Sequence, residues 1–204
     1  MKYFLDFGTH YFHGTIHENG ILSFERRGFF GQTQPYEWRV STFEPSPYAF
    51  EANKQHLPSI ASRFNRLDAY QAAIADFDGT MEFKWCPGNE AGSNCLKQTI
   101  AEVDESGAEI HMVPAIDVKR LVEEIVAEDK EAFIVIKCDI EGAEFSVLPR
   151  LLDAECVRES VKEVFVEWHD RFWADKPNHQ EILRKKAIIK ESCQESGIVI
   201  HDWQ

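Results

Sequence analysis

No apolar run in the 204-residue sequence approaches the roughly 20 residues that a helix needs to cross a bilayer. The amino terminus, MKYFLDFGTH, meets an acid at Asp6 before a signal-peptide core can form, so a cytoplasmic location is expected. There is no CxxC pair, and the five cysteines (Cys86, Cys95, Cys138, Cys156, Cys193) are an odd number, which argues against a disulfide framework and a structural zinc site. Basic residues are scarce: 22 Lys and Arg stand against 35 Asp and Glu, a net charge of −13. Such a surface repels phosphate backbones and anionic headgroups, so neither nucleic acid nor membrane is an expected partner. Repeats, low-complexity tracts and interdomain linkers are also missing, and residues 1–204 read as one domain.

What is present is ordinary globular composition, 44% hydrophobic and 28% charged. Short apolar runs alternate with longer amphipathic stretches, the pattern of an α/β fold with a mostly parallel sheet and helices on both faces. Tyr3 to Phe7 and Trp38 to Phe43 read as the first two strands, the second stopped by Glu44-Pro45-Ser46-Pro47. A helix is expected from about Tyr48 to Leu57. Ala69 to Ala75 reads as a third strand that turns at Asp78-Gly79 into Thr80 to Trp85 as a hairpin. Cys86 to Gly107 lacks periodicity and reads as a loop. Asp117 precedes a helix whose Val118, Leu121, Val122, Ile125 and Val126 share one face. Phe133 to Cys138 has the β-branched character of a central parallel strand. Val161 to Val166, a basic helix over Glu181 to Glu195 and the run Ile198 to Ile200 complete the pattern.

Acids recur at the strand ends: Asp6 ahead of Gly8, Glu44 after Phe43, Asp139 after Cys138. In an open parallel sheet such side chains converge on the crevice beyond the carboxyl edge, where a carboxylate can accept both hydroxyl hydrogens of a ribose. Taken singly, each acid is as readily a helix cap or a solvated strand end. The first turn, Gly8-Thr9-His10-Tyr11-Phe12-His13-Gly14, is not the GxGxxG cradle for a pyrophosphate. An adenosine carrying a charged amino-acid arm in place of phosphates fits it better.

The densest motif is Lys137-Cys138-Asp139-Ile140-Glu141-Gly142-Ala143-Glu144-Phe145. The stretch IKCDIEGAEFSVL resembles the signature of FkbM-type S-adenosylmethionine-dependent methyltransferases. LDFG, FEPSP, AAIADFDGTMEF, VPAIDVKRLV and VFVEWH stand in the order of that family's other landmarks, so the likeness runs from about Leu5 to His169. It implies a Rossmann-like class I methyltransferase fold and S-adenosylmethionine as cofactor. Asp6 and Gly8 would frame the methionine arm, Thr9 and His10 would also bind the cofactor, Glu44 would hold the ribose, Asp76 would lie near the adenine edge, and Asp139 near the sulfonium. Thr9, His10 and Phe12 depart from the family's usual first turn, standing where its Ala, Asn and second Gly would be.

The activity implied is O-methylation of a hydroxyl on a saccharide or related small metabolite. N-methylation of an amine and non-catalytic binding of the cofactor remain as alternatives. Methyl transfer to a hydroxyl needs alignment and a base, for which Asp139, Glu141 and His169 are the candidates. Each has a plainer role open to it: Asp139 in holding cofactor, Glu141 in pairing with Lys137 or capping the helix that opens at Gly142, His169 in packing. His10 and His13 with Asp6, or Asp139 with Glu141 and Glu144, offer donors for a metal, but neither set is specific and no metal ligand is assigned. The loop over Cys86 to Gly107 is the candidate acceptor lid.

Overall fold

The computed structural model describes residues 1–10, 24, 37–87, 93–95 and 107–203. Its main sheet has six strands in the order β3-β2-β1-β7-β8-β9, formed by β1 (Lys2–Phe7), β2 (Trp38–Phe43), β3 (Arg66–Tyr70), β7 (Phe133–Cys138), β8 (Val161–Val166) and β9 (Val199–Asp202). Every pairing in it is parallel. The two most apolar strands, β1 and β7, lie side by side at its centre, where a strand is covered on both faces and gains most from an unbroken hydrophobic run.

Alternation along these strands feeds two cores. Leu5, Phe7, Ile134, Ile136 and Cys138 face one way. They pack against Val118 and Val122 of α3 (Val118–Glu128), Phe145 and Leu148 of α4 (Glu144–Leu152), and Ile189 and Cys193 of α6 (His179–Glu195). Phe4, Val40 and Val135 face the other way, toward Ile60 of α2 (Leu57–Ala61), Phe64, and Phe24 stacked on Trp203 with ring centroids 4.4 Å apart. Helices thus cover both faces, as the sequence pattern requires.

The prolines that end β2 also start α1 (Pro47–Lys54), with Ser46 accepting a hydrogen bond from the Ala49 amide at 3.2 Å. The single helix expected to Leu57 stops at Lys54, and α2 follows with Pro58 in its first turn. Pro58 has no amide hydrogen to donate to the Lys54 carbonyl four residues back, so the ladder breaks there and two short helices replace one.

The largest departure from the sequence reading is a second sheet, ordered β4-β6-β5, from β4 (Ala73–Ala75), β6 (Glu109–Asp117) and β5 (Gly79–Trp85). The run Ala69 to Ala75 is therefore not one strand: its beginning pairs with β2 in the main sheet, and its end leaves for the small one. Nor is Asp78-Gly79 the tip of a hairpin between neighbours, since β5 pairs antiparallel with β6 and β4 pairs parallel with β6. The Asp78 carboxylate accepts the Asp117 amide (3.0 Å) and Arg120 (2.6 and 2.7 Å), which draws the turn toward the β6–α3 junction. Strand β6 itself was unexpected because Pro114 lies within it. Pro114 is tolerated because β4 begins to pair only at Ala115, leaving one side of the strand open at the proline.

Two short helical pieces complete the described chain, α5 (Val157–Ser160) and a 3-10 turn over Asp170–Trp173. Among the described residues no helix is long and apolar enough to cross a membrane.

Candidate active site

The direction in which successive strands are added reverses at the β1–β7 seam: β2 and β3 extend the sheet to one side, β8 and β9 to the other. A crevice opens at the carboxyl edge of such a seam. Here the strands stay laterally bonded past their last paired residues. The Glu44 amide donates to Tyr70 O (3.0 Å), Gly8 to Phe43 O (3.0 Å), Asp139 to Phe7 O (3.1 Å), Glu167 to Cys138 O (3.0 Å) and Trp203 to Val166 O (2.8 Å). Glu44, Gly8, Asp139 and Glu167 are thereby set in a row at the spacing of adjacent strands, about 4.8 Å per step.

The seam itself is close. Gly8 has φ +76°, and a Cβ there would lie 1.7 Å from the carbonyl oxygen of Asp139, so only glycine fits. Beneath it, the fully buried Lys137 donates to the Gly8 carbonyl and sits 3.3 Å from Asp6 Oδ1 and 3.2 Å from Asp139 Oδ2. Burial opposes its charge, but the two carboxylates outweigh that and hold the ammonium above the ordinary lysine range. Lys137 therefore ties the ends of β1 and β7 together and aims Asp139. Asp6 is buried in this clamp and does not reach the cavity. Thr9 is buried too, its hydroxyl directed at the Asp6 and Phe43 carbonyls.

Glu44 closes β2 with its carboxylate turned back on the first turn. It accepts the His10 amide (2.6 Å) and the Ser46 amide (2.8 Å), while the His10 carbonyl accepts from Asn53 of α1. His10 holds φ +51° to make this possible. Burial pushes the Glu44 carboxyl up to about 7 despite the two amides that favour its charge. With two amides bound, each oxygen keeps a lone pair for a further donor from the cavity.

A second cluster is built around His169, three residues past β8. The ring is fully buried. Its Nε2 lies 3.3 Å from Glu141 Oε2, 3.6 Å from Glu167 Oε1 and 3.8 Å from Asp139 Oδ1; its Nδ1 lies 3.4 Å from Glu144 Oε1. Glu144 also accepts the His169 amide (2.7 Å) and the Gly142 amide (2.8 Å), locking the turn that opens α4. Burial disfavours the imidazolium, yet contact with Glu141 and Glu144 raises it to about 11. Burial pushes Glu141 and Glu167 above the ordinary glutamate range. Glu141 has φ +51°, an uncommon backbone state for a residue with a Cβ and one that gathers at functional sites.

These groups border one cavity, lined at its floor by Gly8, His10, Glu44, Asp139, Glu141 and Glu167. Phe43, Ala73, Ile74, Phe83 and Trp85 form an apolar wall that the second sheet largely supplies, and Ser93, Asn94 and Cys95 form a rim. These three are the part of the expected lid that lies within the described residues next to the cavity; most of that segment falls outside them, as does His13.

Of the residues singled out from sequence, Gly8, His10, Glu44, Asp139 and Glu141 come together in the cavity wall. Asp6 and Thr9 lie behind it, and His169 supports it from below. Asp76 is exposed just beyond β4 and does not line the cavity, because the chain leaves the cavity wall after Ile74 and turns toward the β6–α3 junction at Asp78. Glu141 pairs with His169 rather than Lys137, and Glu144, not Glu141, binds the Gly142 amide. Sequence reasoning missed Glu167, Lys137 and Arg171 as parts of the site. Glu167 had a usable signal, since it closes its strand just as Glu44 and Asp139 close theirs.

A family model described as the methyltransferase FkbM domain matches residues 20–191. Comparison with curated proteins gives no match, and comparison with solved structures gives none either.

Proposed function

The chain belongs to the FkbM methyltransferase domain family, and from that premise we propose that it transfers a methyl group from S-adenosylmethionine to a hydroxyl oxygen of a saccharide or related small metabolite. The observation that carries this reading is Glu44. Its carboxylate, anchored by two backbone amides, faces the same cavity as the bare backbone of Gly8. That pairing suits a ribose diol beside a close-lying amino-acid arm and has no provision for a pyrophosphate.

Glu44 would accept the ribose hydroxyls. The turn Gly8–His10 would border the methionine arm. In place of Asp76, the apolar wall of Phe43, Ala73, Ile74 and Phe83 would take the adenine ring, as flat aromatic surface favours such cover. When bound, the cofactor supplies an electrophilic methyl group on a sulfonium.

The protein's remaining task is to orient the acceptor and receive its proton. Asp139 and Glu141 border the cavity and can do both, Asp139 held by Lys137 and Glu141 by His169. His169 is buried behind them and already positively charged at neutral pH, so its part is to position these carboxylates rather than to act as the base. A proton acceptor is needed for a hydroxyl and superfluous for an amine, which is why the O-methyl reading is preferred to the N-methyl one.

The test is calorimetric titration with S-adenosylmethionine and S-adenosylhomocysteine, followed by methyl-transfer assays on polyol acceptors. Glu44→Ala is expected to weaken cofactor binding by roughly tenfold or more, the loss of a charged hydrogen-bond pair. Undiminished binding in that variant removes Glu44 from the cofactor site, and no binding by the folded native protein removes the cofactor reading. Tight binding with no transfer to any hydroxylated acceptor leaves a cofactor-holding domain without the proposed activity.

A further inference from the structure

The geometry points to a divalent-cation site formed by Asp139 Oδ1, Glu141 Oε2 and His169 Nε2 at the floor of the cavity. Asp139, Glu141 and His169 each offer a donor atom to a group whose members lie within 4.8 Å of one another. The two carboxylate oxygens stand 3.8 and 3.3 Å from Nε2, close to the roughly 3.0–3.4 Å that separates neighbouring ligands on an ion with bonds of about 2.1 Å.

A cluster of acids alone would not carry this, since one of them can simply be solvated. The independent observation is His169. Its ring is 0% exposed, and neither ring nitrogen nor Glu141 Oε2 has a hydrogen-bond partner among the described residues. Three carboxylates therefore surround one nitrogen at 3.3 to 3.8 Å without bonding geometry to any of them.

The other side of the ring is arranged as a ligating histidine requires. Nδ1 faces the fully buried Glu144, which is itself fixed by the His169 and Gly142 amides. A small turn of the ring on metal binding would let Nδ1–H donate to that carboxylate, which would fix the tautomer and direct Nε2 at the ion. A bound cation would displace the proton from Nε2 and take over the positive charge that balances the acids around it.

Two carboxylates with one imidazole favour a first-row divalent ion such as Mn²⁺ or Fe²⁺ over Ca²⁺, which prefers oxygen alone. Both Asp139 and Glu141 line the cavity, so the remaining positions of the ion open into it. Resting on the methyl-transfer reading, these positions would take an acceptor that chelates through two adjacent oxygens, such as a vicinal diol. Asp139 and Glu141 would then act as ligands, and Glu167, on the same floor, would receive the hydroxyl proton.

The experiment uses the full chain, stripped with EDTA and titrated with Mn²⁺ alone while the free-ion electron paramagnetic resonance signal is followed. The expected result is one bound ion per chain with an imidazole ¹⁴N modulation in the pulsed spectrum. Glu141→Gln should weaken binding by roughly tenfold or more, His169→Gln should abolish the ¹⁴N modulation, and the α3 surface variant Glu123→Gln should do neither. If His169→Gln does not fold, Glu141→Gln still decides, because its side chain borders the cavity. Absence of stoichiometric binding overturns the site; so does binding that lacks ¹⁴N modulation and ignores Glu141→Gln, which would mean diffuse attraction to an acidic surface. Because no cofactor is present, Mn²⁺ binding together with failure to bind S-adenosylmethionine would sink the cofactor reading and leave the ion site standing.

Discussion

Two backbone amides converge on Glu44, and burial still lifts its carboxyl to about 7. The folded protein therefore keeps a proton that the unfolded chain, with an ordinary glutamate, releases between roughly pH 4.5 and 7. Stability should fall as pH rises through that window and level off above it, by on the order of 3 kcal/mol from this group. Burial raises Glu141 and Glu167 in the same direction. Glu44→Gln should thus reduce the slope without abolishing it, as urea unfolding at pH 5 and pH 8 would read; an unchanged slope would mean that Glu44 is ionised throughout. The same carboxyl sets a second expectation. If only the charged form holds the ribose strongly, cofactor affinity should climb through pH 7 in the native protein and be nearly flat in Glu44→Gln.

Among the elements, the junction of β6 and α3 shows how one side chain joins a strand of the second sheet to two helices. Asp117 caps α3 through the Lys119 amide (2.9 Å) and takes the Arg150 guanidinium of α4 on both oxygens, with contacts down to 2.5 Å. Asp117→Ala should cost about 1–2 kcal/mol, the range for loss of a cap with a partly exposed ion pair, visible as a lower urea midpoint with an unchanged m-value. The cap was legible in advance, as were β1, β2, β7 and β8, because a continuous apolar run bounded by turn residues admits few alternatives. The second sheet was not. Its three-residue β4 is too short to show a period, and Pro114 masks β6. Nor does local sequence show that the chain leaves the main sheet before Asp76, which lies exposed beyond β4. The strand-end acids could be read from local sequence, whereas the Lys137 clamp and the His169 cluster depend on contacts between residues far apart in the chain.

At the level of the whole molecule, the net charge of −13 is a standing repulsion that salt screens over a length of about 10 Å at 0.1 M. The midpoint of thermal unfolding should therefore rise between low and moderate NaCl; a fall would mean that paired charges such as Arg120 with Asp78 contribute more than the repulsion removes. A single transition is expected in that measurement. Ile74 of β4 and Val118 and Val122 of α3 belong to the same apolar core as β1 and β7, so the second sheet should not melt alone.

The lateral bonds that continue beyond the strand ends bear on how the site resists fluctuation. The amides of Gly8, Glu44, Asp139 and Glu167 are each engaged by the neighbouring strand, so the backbone under these four of the six floor residues is sealed into the sheet. In deuterated buffer these four amides should trade hydrogen only when the entire domain opens, far more slowly than amides in exposed turns. The chemistry would then be carried by the most durable part of the scaffold, and an inhibitor filling this crevice would meet a template already set before it arrives.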